Sequence, residues 1–75
     1  MPVEVRCPAY DSEPETWMLV TPEYELPSGD WVVRGLKFKW ARNDPWEPYT
    51  GIPLVVATPS ASGPWTWKER WDHPE

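Results

Sequence analysis

Few residues in this chain could do covalent chemistry, and those few stand apart. His73 is the only histidine and Cys7 the only cysteine, near opposite ends of the 75 residues. A structural zinc site wants four nitrogen or sulfur ligands, which this pair cannot supply. Asp11, Glu13 and Glu15 alternate and would face one way on an extended segment, but the further oxygens and glycine turn of a calcium loop are missing. They read as a solvated acidic loop. A nucleophile needs a base beside it. His73 sits against Pro74 in what reads as a frayed end, and Cys7 has Arg6 next to it but no base. Two of the twelve acidic residues could converge for hydrolysis, yet a chain this short has little room for a core and a deep pocket together. The expectation is a protein that is not an enzyme, with no metal, no cofactor and no small-molecule substrate. One cysteine also excludes an internal disulfide.

The sharpest cluster is basic. Arg34, Lys37, Lys39 and Arg42 are four of the seven basic residues, with no acid between Asp30 and Asp44. With Trp40 and Trp46 nearby they resemble in kind the basic and aromatic surfaces that hold single-stranded nucleic acid. The same residues also suit the outer face of a strand, where lysines blunt a sheet edge. A docking patch for an acidic protein is a third reading. The net charge of −5 favours the solvated face and disfavours nucleic acid or an anionic membrane as partner. Arg42-x-x-Pro45-x-x-Pro48 matches the spacing of a polyproline ligand. Asp44 and Glu47 occupy its apolar places, so a loop that lays Trp46 and Tyr49 on the core is the better account.

The elements that must position these residues are set by proline. Eleven prolines punctuate the chain and leave 28–44 and 65–73 as its long proline-free windows. Val3-Glu4-Val5-Arg6 alternates as a short strand. Thr16 to Thr21 reads as a buried strand closed by Pro22, with Tyr24 extending the pairing. Ser28-Gly29-Asp30 signals a turn. Trp31 to Arg34 reads as strand, Gly35 as a bulge, and Leu36-Lys37-Phe38-Lys39-Trp40 as a half-buried strand with Leu36, Phe38 and Trp40 on one face. Residues 45–53 read as loop and Pro53 to Ala57 as a buried strand. Trp65 to Trp71 fits a strand better than a helix, although Thr66-x-x-Glu69 has the form of a capping box. A Thr-Pro, loop, Ser-Gly, Trp order occurs twice, at 21–31 and 58–65, in residues common to any loop.

The fold class expected is therefore all-β: a small antiparallel sandwich or partly open barrel of about five short strands, with Pro-rich loops and little or no helix. It is one domain over 1–75, frayed at 1–2 and 72–75. Seven tryptophans, three tyrosines and one phenylalanine supply the core, since each buried Trp removes about 200 Å² from water. Trp46, Trp65, Trp67, Arg70 and Trp71 are the candidate contacts, because Trp beside Arg is the usual composition of an interface anchor. The function expected is protein–protein interaction with itself or another protein, as an accessory or structural subunit of a larger assembly of the virion or multiprotein-complex type. A small acidic inhibitor or adaptor presenting Asp11, Glu13, Glu15, Glu23 and Glu25 to a basic partner site is the alternative. A module that binds carbohydrate or single-stranded nucleic acid ranks third. With no signal peptide and no stretch able to span a bilayer, the expected place is the cytoplasm or an assembly inside a cell.

Overall fold

The computed structural model describes residues 1–9 and 14–71. These form six strands and no helix: β1 (Val3–Cys7), β2 (Thr16–Glu25), β3 (Trp31–Lys39), β4 (Glu47–Pro48), β5 (Leu54–Thr58) and β6 (Trp65–Arg70). Accordingly, no helix among the described residues is long and apolar enough to cross a membrane. Antiparallel pairing runs from β1 to β2, β2 to β3, β3 to β5 and β5 to β6, and a parallel pairing of β6 with β1 closes the ring. The result is a closed five-strand barrel with β4 added beside β3. An up-and-down meander with an odd number of strands brings its first and last strands together pointing the same way. The one parallel ladder, Val5 with Trp65 and Arg6 with Thr66, follows from that count. The barrel is thus closed and mixed, in keeping with the small all-β sandwich or barrel expected, with one parallel pairing among its antiparallel ones.

Three departures from simple alternation shape the barrel. β2 runs through Pro22 instead of ending there. Its ladder with β1 stops at Val20, so beyond that point β2 is paired on one side only, where a sheet tolerates proline. Its register with β3 slips between Pro22 and Tyr24. On β3 the bulge falls at Leu36: Leu19 opposes Lys37 while Val20 opposes Gly35, leaving Leu36 unpaired with β2. This corrects the expected buried face of Leu36, Phe38 and Trp40. Leu36 is thrown out of the alternation and is 41% exposed, and Trp40 lies past the strand end, so of the three Phe38 packs against the core. On β6, Val56 opposes Glu69 while Ala57 opposes Trp67, which makes Lys68 the extra residue.

Inside the barrel sit Val5, Met18, Val20, Val33, Val55 and Ala57. The rings of Trp31 and Trp65, 6.1 Å apart, close one mouth against this cluster, while Phe38 and Tyr49 pack against it at the other. Two more valines are buried on the outer wall. The register aligns Tyr24, Val32, Val56 and Glu69 across four strands, and both Val32 and Val56 are inaccessible. Trp71, whose N–H donates to Leu54 O at 3.0 Å, meets Tyr24 edge to face at 6.3 Å on this side of the barrel.

The expected turn before β3 is present. Gly29 has φ of 95° and donates its N–H to Leu26 O at 2.9 Å, a backbone conformation that glycine adopts without steric cost. The turn delivers Asp30 to the rim, where Lys68 Nζ donates to its Oδ2 at 2.8 Å. Residues 45–53, expected as loop, contain β4. β3 outruns β5, which covers Trp31 to Arg34, and β4 takes the rest of that edge at Lys37 and Phe38. Between them Gly35 N–H donates to Pro53 O and Tyr49 N–H to Leu36 O, so the edge has little unpaired backbone.

Candidate functional site

At the β3–β4 mouth lies a groove of about 350 Å³ lined by Phe38, Trp40, Glu47, Pro48, Tyr49 and the Thr50–Gly51 turn. Side-chain alternation explains its composition. Phe38 opposes Glu47 across the ladder, so the two share a face, and Trp40 and Tyr49 follow two positions on from each. Lys37, Lys39, Trp46 and Pro48 alternate with these. Phe38 forms the floor, with Trp40 edge to face at 5.1 Å on one side and Tyr49 tilted at 6.2 Å on the other. Trp40 is 59% exposed, whereas every other tryptophan is buried or half-buried.

Tyr49 is held by two glycines. A Cβ on Gly35 would stand 2.5 Å from Tyr49 Cδ2, and one on Gly51 would stand 2.6 Å from the Tyr49 hydroxyl. The ring therefore occupies space that any other residue at 35 would fill. Burial, with the Cys7 sulfur as a second cause, pushes the Tyr49 phenol above its ordinary value, so the groove keeps a neutral hydroxyl throughout the physiological range. Burial likewise pushes the Cys7 thiol up, against a hydrogen bond with Thr16 that pulls the other way. A protonated, half-buried thiol is a poor nucleophile.

The basic cluster is taken up within the chain. Arg34 Nε lies 3.3 Å from Glu23 Oε2. Lys39 Nζ stands 4.4 Å from the centre of the Trp46 ring and donates to Arg42 O at 2.8 Å. The Arg42 guanidinium lies 4.8 Å from the centre of the Trp17 ring. Together these contacts fasten the 41–46 turn to the outer wall, and among the described residues Lys37 alone of the four cations has no such partner. The acidic residues are also divided. Glu15 pairs with Arg6 at 3.5 Å and Glu23 with Arg34, while Glu25 is exposed on β2. Asp11, Glu13, His73 and the segment 72–75 lie outside the described residues. Among the described residues no three metal-ligating side chains gather.

The tryptophans singled out as contacts do not form one surface. Trp65 and Trp67 pack against the core, Trp71 against Tyr24, and Trp46 lies under Lys39, while Arg70 is exposed and has contacts of its own. Sequence reasoning missed Trp40, Glu47 and Tyr49 as a group. One signal was available: Trp40 is the last residue before the Ala41-Arg42-Asn43-Asp44 turn, beyond which strand pairing is not expected to cover it. Comparison with known proteins adds no relative: no family model matches the chain, and no curated protein or solved structure is similar to it.

Proposed function

We propose that this chain is a non-catalytic interaction module, an accessory subunit that docks onto a partner protein through the groove at the β3–β4 mouth. The observation that carries this reading is the exposure of Trp40 in a chain that shelters its other tryptophans. An indole left 59% exposed beside a ring-lined groove has the composition of an interface hot spot. Rigidity supports it too. Tyr49 is wedged between two glycines, and cation–π contacts tie down the adjoining turn, so docking would order few side chains. The raised thiol pKa of Cys7 fits a role without nucleophilic chemistry. The alternative of an acidic inhibitor has less support, because Glu15 and Glu23 already face cations of their own chain.

Site-specific photo-crosslinking tests the reading. A photoreactive amino acid replaces Trp40 in one sample and Ser62, on the exposed β5–β6 loop, in another. Each is irradiated in extract of the cell that makes the protein. A discrete protein adduct from position 40, absent from position 62, is the expected result. No adduct at 40, or the same adducts from both positions, would overturn it.

A further inference from the structure

We propose that the group received by the groove is an arginine side chain of the partner, stacked on Trp40 and paired with Glu47; this rests on the docking role given above. The argument begins with charge. Glu47 shares its face with Phe38 and is exposed, with no ion pair among the described residues. Its cationic neighbours do not neutralise it. Lys37 opposes Pro48 on the other face of the ladder, Lys39 is held by Trp46 and Arg42 O, and Arg42 lies on Trp17. A carboxylate is thus left in the same groove as a mostly exposed indole, with the local cations turned away.

An uncompensated carboxylate sharing a groove with an exposed indole suits a planar cation. Guanidinium can lie flat on an indole while its N–H groups reach a carboxylate, and it gives up hydration more readily than an ammonium. The chain itself sets a guanidinium over an indole, with Arg42 4.8 Å from the centre of the Trp17 ring on the outer wall. The floor and far wall of the groove, Phe38 and Tyr49, are apolar or neutral and would cover the aliphatic stem of the same side chain.

A second copy of the chain is a poor source for this arginine. Arg6 and Arg34 face Glu15 and Glu23, Arg42 is stacked on Trp17, and Arg70 has contacts of its own. Supplying one would exchange an existing contact for the new one, so the occupant that fits best is a different protein with an exposed, unpaired arginine.

The test uses the full chain labelled with nitrogen-15 and three probes. These are the acetylated, amidated peptide Gly-Pro-Arg-Pro-Gly, the same peptide with citrulline for arginine, and the disaccharide chitobiose. The expected result is a saturable shift of the Trp40 indole N–H with the arginine peptide. Citrulline, a neutral isostere, should bind at least about fivefold more weakly. Glu47→Gln should weaken the arginine peptide by about two- to fivefold and leave the citrulline peptide unchanged. Trp40→Ala should abolish the peptide-induced shifts of the Glu47, Tyr49 and Gly51 amides that line the groove, while the amide signals of the core valines stay in place, which shows that the barrel is intact. Equal binding of the two peptides overturns the proposal. So does an unchanged affinity in Glu47→Gln, a response to chitobiose alone, or no response at Trp40 up to about 10 mM peptide. A crosslinked partner at position 40 together with equal peptide affinities would remove the arginine and leave the docking role standing. A peptide response without any crosslinked partner would do the reverse.

Discussion

Lys68 reaches Asp30, with its Nζ 2.8 Å from Oδ2, at the point where the β5–β6 register slips by one residue. The bulge takes Lys68 out of the ladder, and the Gly29 turn brings Asp30 up to meet it. The contact joins the start of β3 to β6 across β5. Lys68, first, and then Thr58 hold the Asp30 carboxyl below its ordinary value, and Asp30 in turn holds the Lys68 ammonium above its own.

A pH dependence follows. With its folded-state pKa depressed, Asp30 contributes stability that is present above the unfolded carboxylate value of about 3.9 and is lost as pH falls through the folded value. Lys68, with a raised pKa, contributes below its unfolded value and loses that contribution as pH rises through the folded one. Lys68→Met should lower the urea midpoint at pH 6. The gap from the parent protein should close as pH falls below the unfolded carboxylate value and through the depressed folded value of Asp30. A gap of constant size down to pH 2 would show that the pair has no titrating role.

Gly35 and Tyr49 make a second prediction. Gly35→Ala should cost about 1–3 kcal/mol, the usual range for forcing atoms into packed space, because the new methyl meets the Tyr49 ring at 2.5 Å and Met18 Cε at 3.1 Å. In Tyr49→Ala the obstacle is gone, so Gly35→Ala added to it should cost less than on its own. A double-mutant cycle from urea unfolding measures the difference. Strict additivity would mean that the slot is not what excludes a side chain at 35.

The 41–46 turn should loosen without its cation–π contacts. Arg42→Ala should destabilise by about 0.5–1 kcal/mol and speed amide exchange across 41–46, leaving exchange in β5 unchanged. Lys39→Ala should act in the same direction. Exchange rates that stay constant in both variants would separate the turn's order from these contacts.

Core and groove should respond oppositely to truncation. Val33→Ala, inside the barrel, should cost about 1.5–2.5 kcal/mol, from roughly 0.8 kcal/mol per buried methylene and the cavity left behind. Trp40→Ala removes a far larger side chain and should change stability by less than about 1 kcal/mol, since the ring is mostly in water. A Trp40→Ala loss as large as that of Val33→Ala would place the indole in the core's energetics and count against its role as a contact.

Much of the strand content is legible in the residues. Alternation marks residues 3–6 of β1, proline-bounded apolar runs mark the first part of β2 and most of β5, and the Ser28-Gly29-Asp30 turn stands where its composition puts it. What escapes is whatever depends on two distant segments. β4 exists because β5 leaves part of the β3 edge uncovered, a matter of relative strand length that no local pattern expresses. Strict period-two reading of Leu36, Phe38 and Trp40 assumes an unbroken ladder, and the slip opposite Leu19 and Val20 breaks it. The basic cluster is plain in the sequence, but the partners that engage it include Trp17 and Glu23 on another strand. The groove needs Phe38 and Trp40 from one arm of the turn and Glu47 and Tyr49 from the other, set in phase by the ladder.

The single parallel seam has a kinetic consequence. β1 meets β6 at Val5–Trp65 and Arg6–Thr66, so one edge of β1 stays bare until residues some sixty positions further on have been made. Contacts of such wide sequence separation are slow to form, and all-β barrels of this kind commonly fold in milliseconds to seconds. During synthesis the earlier strands can pair as a curled sheet, with open backbone along β1 inviting other chains. Arrival of β6 seals that edge, so substitutions in Trp65 or Thr66 that delay the seam would first be felt as aggregation of newly made protein rather than as loss of the finished barrel.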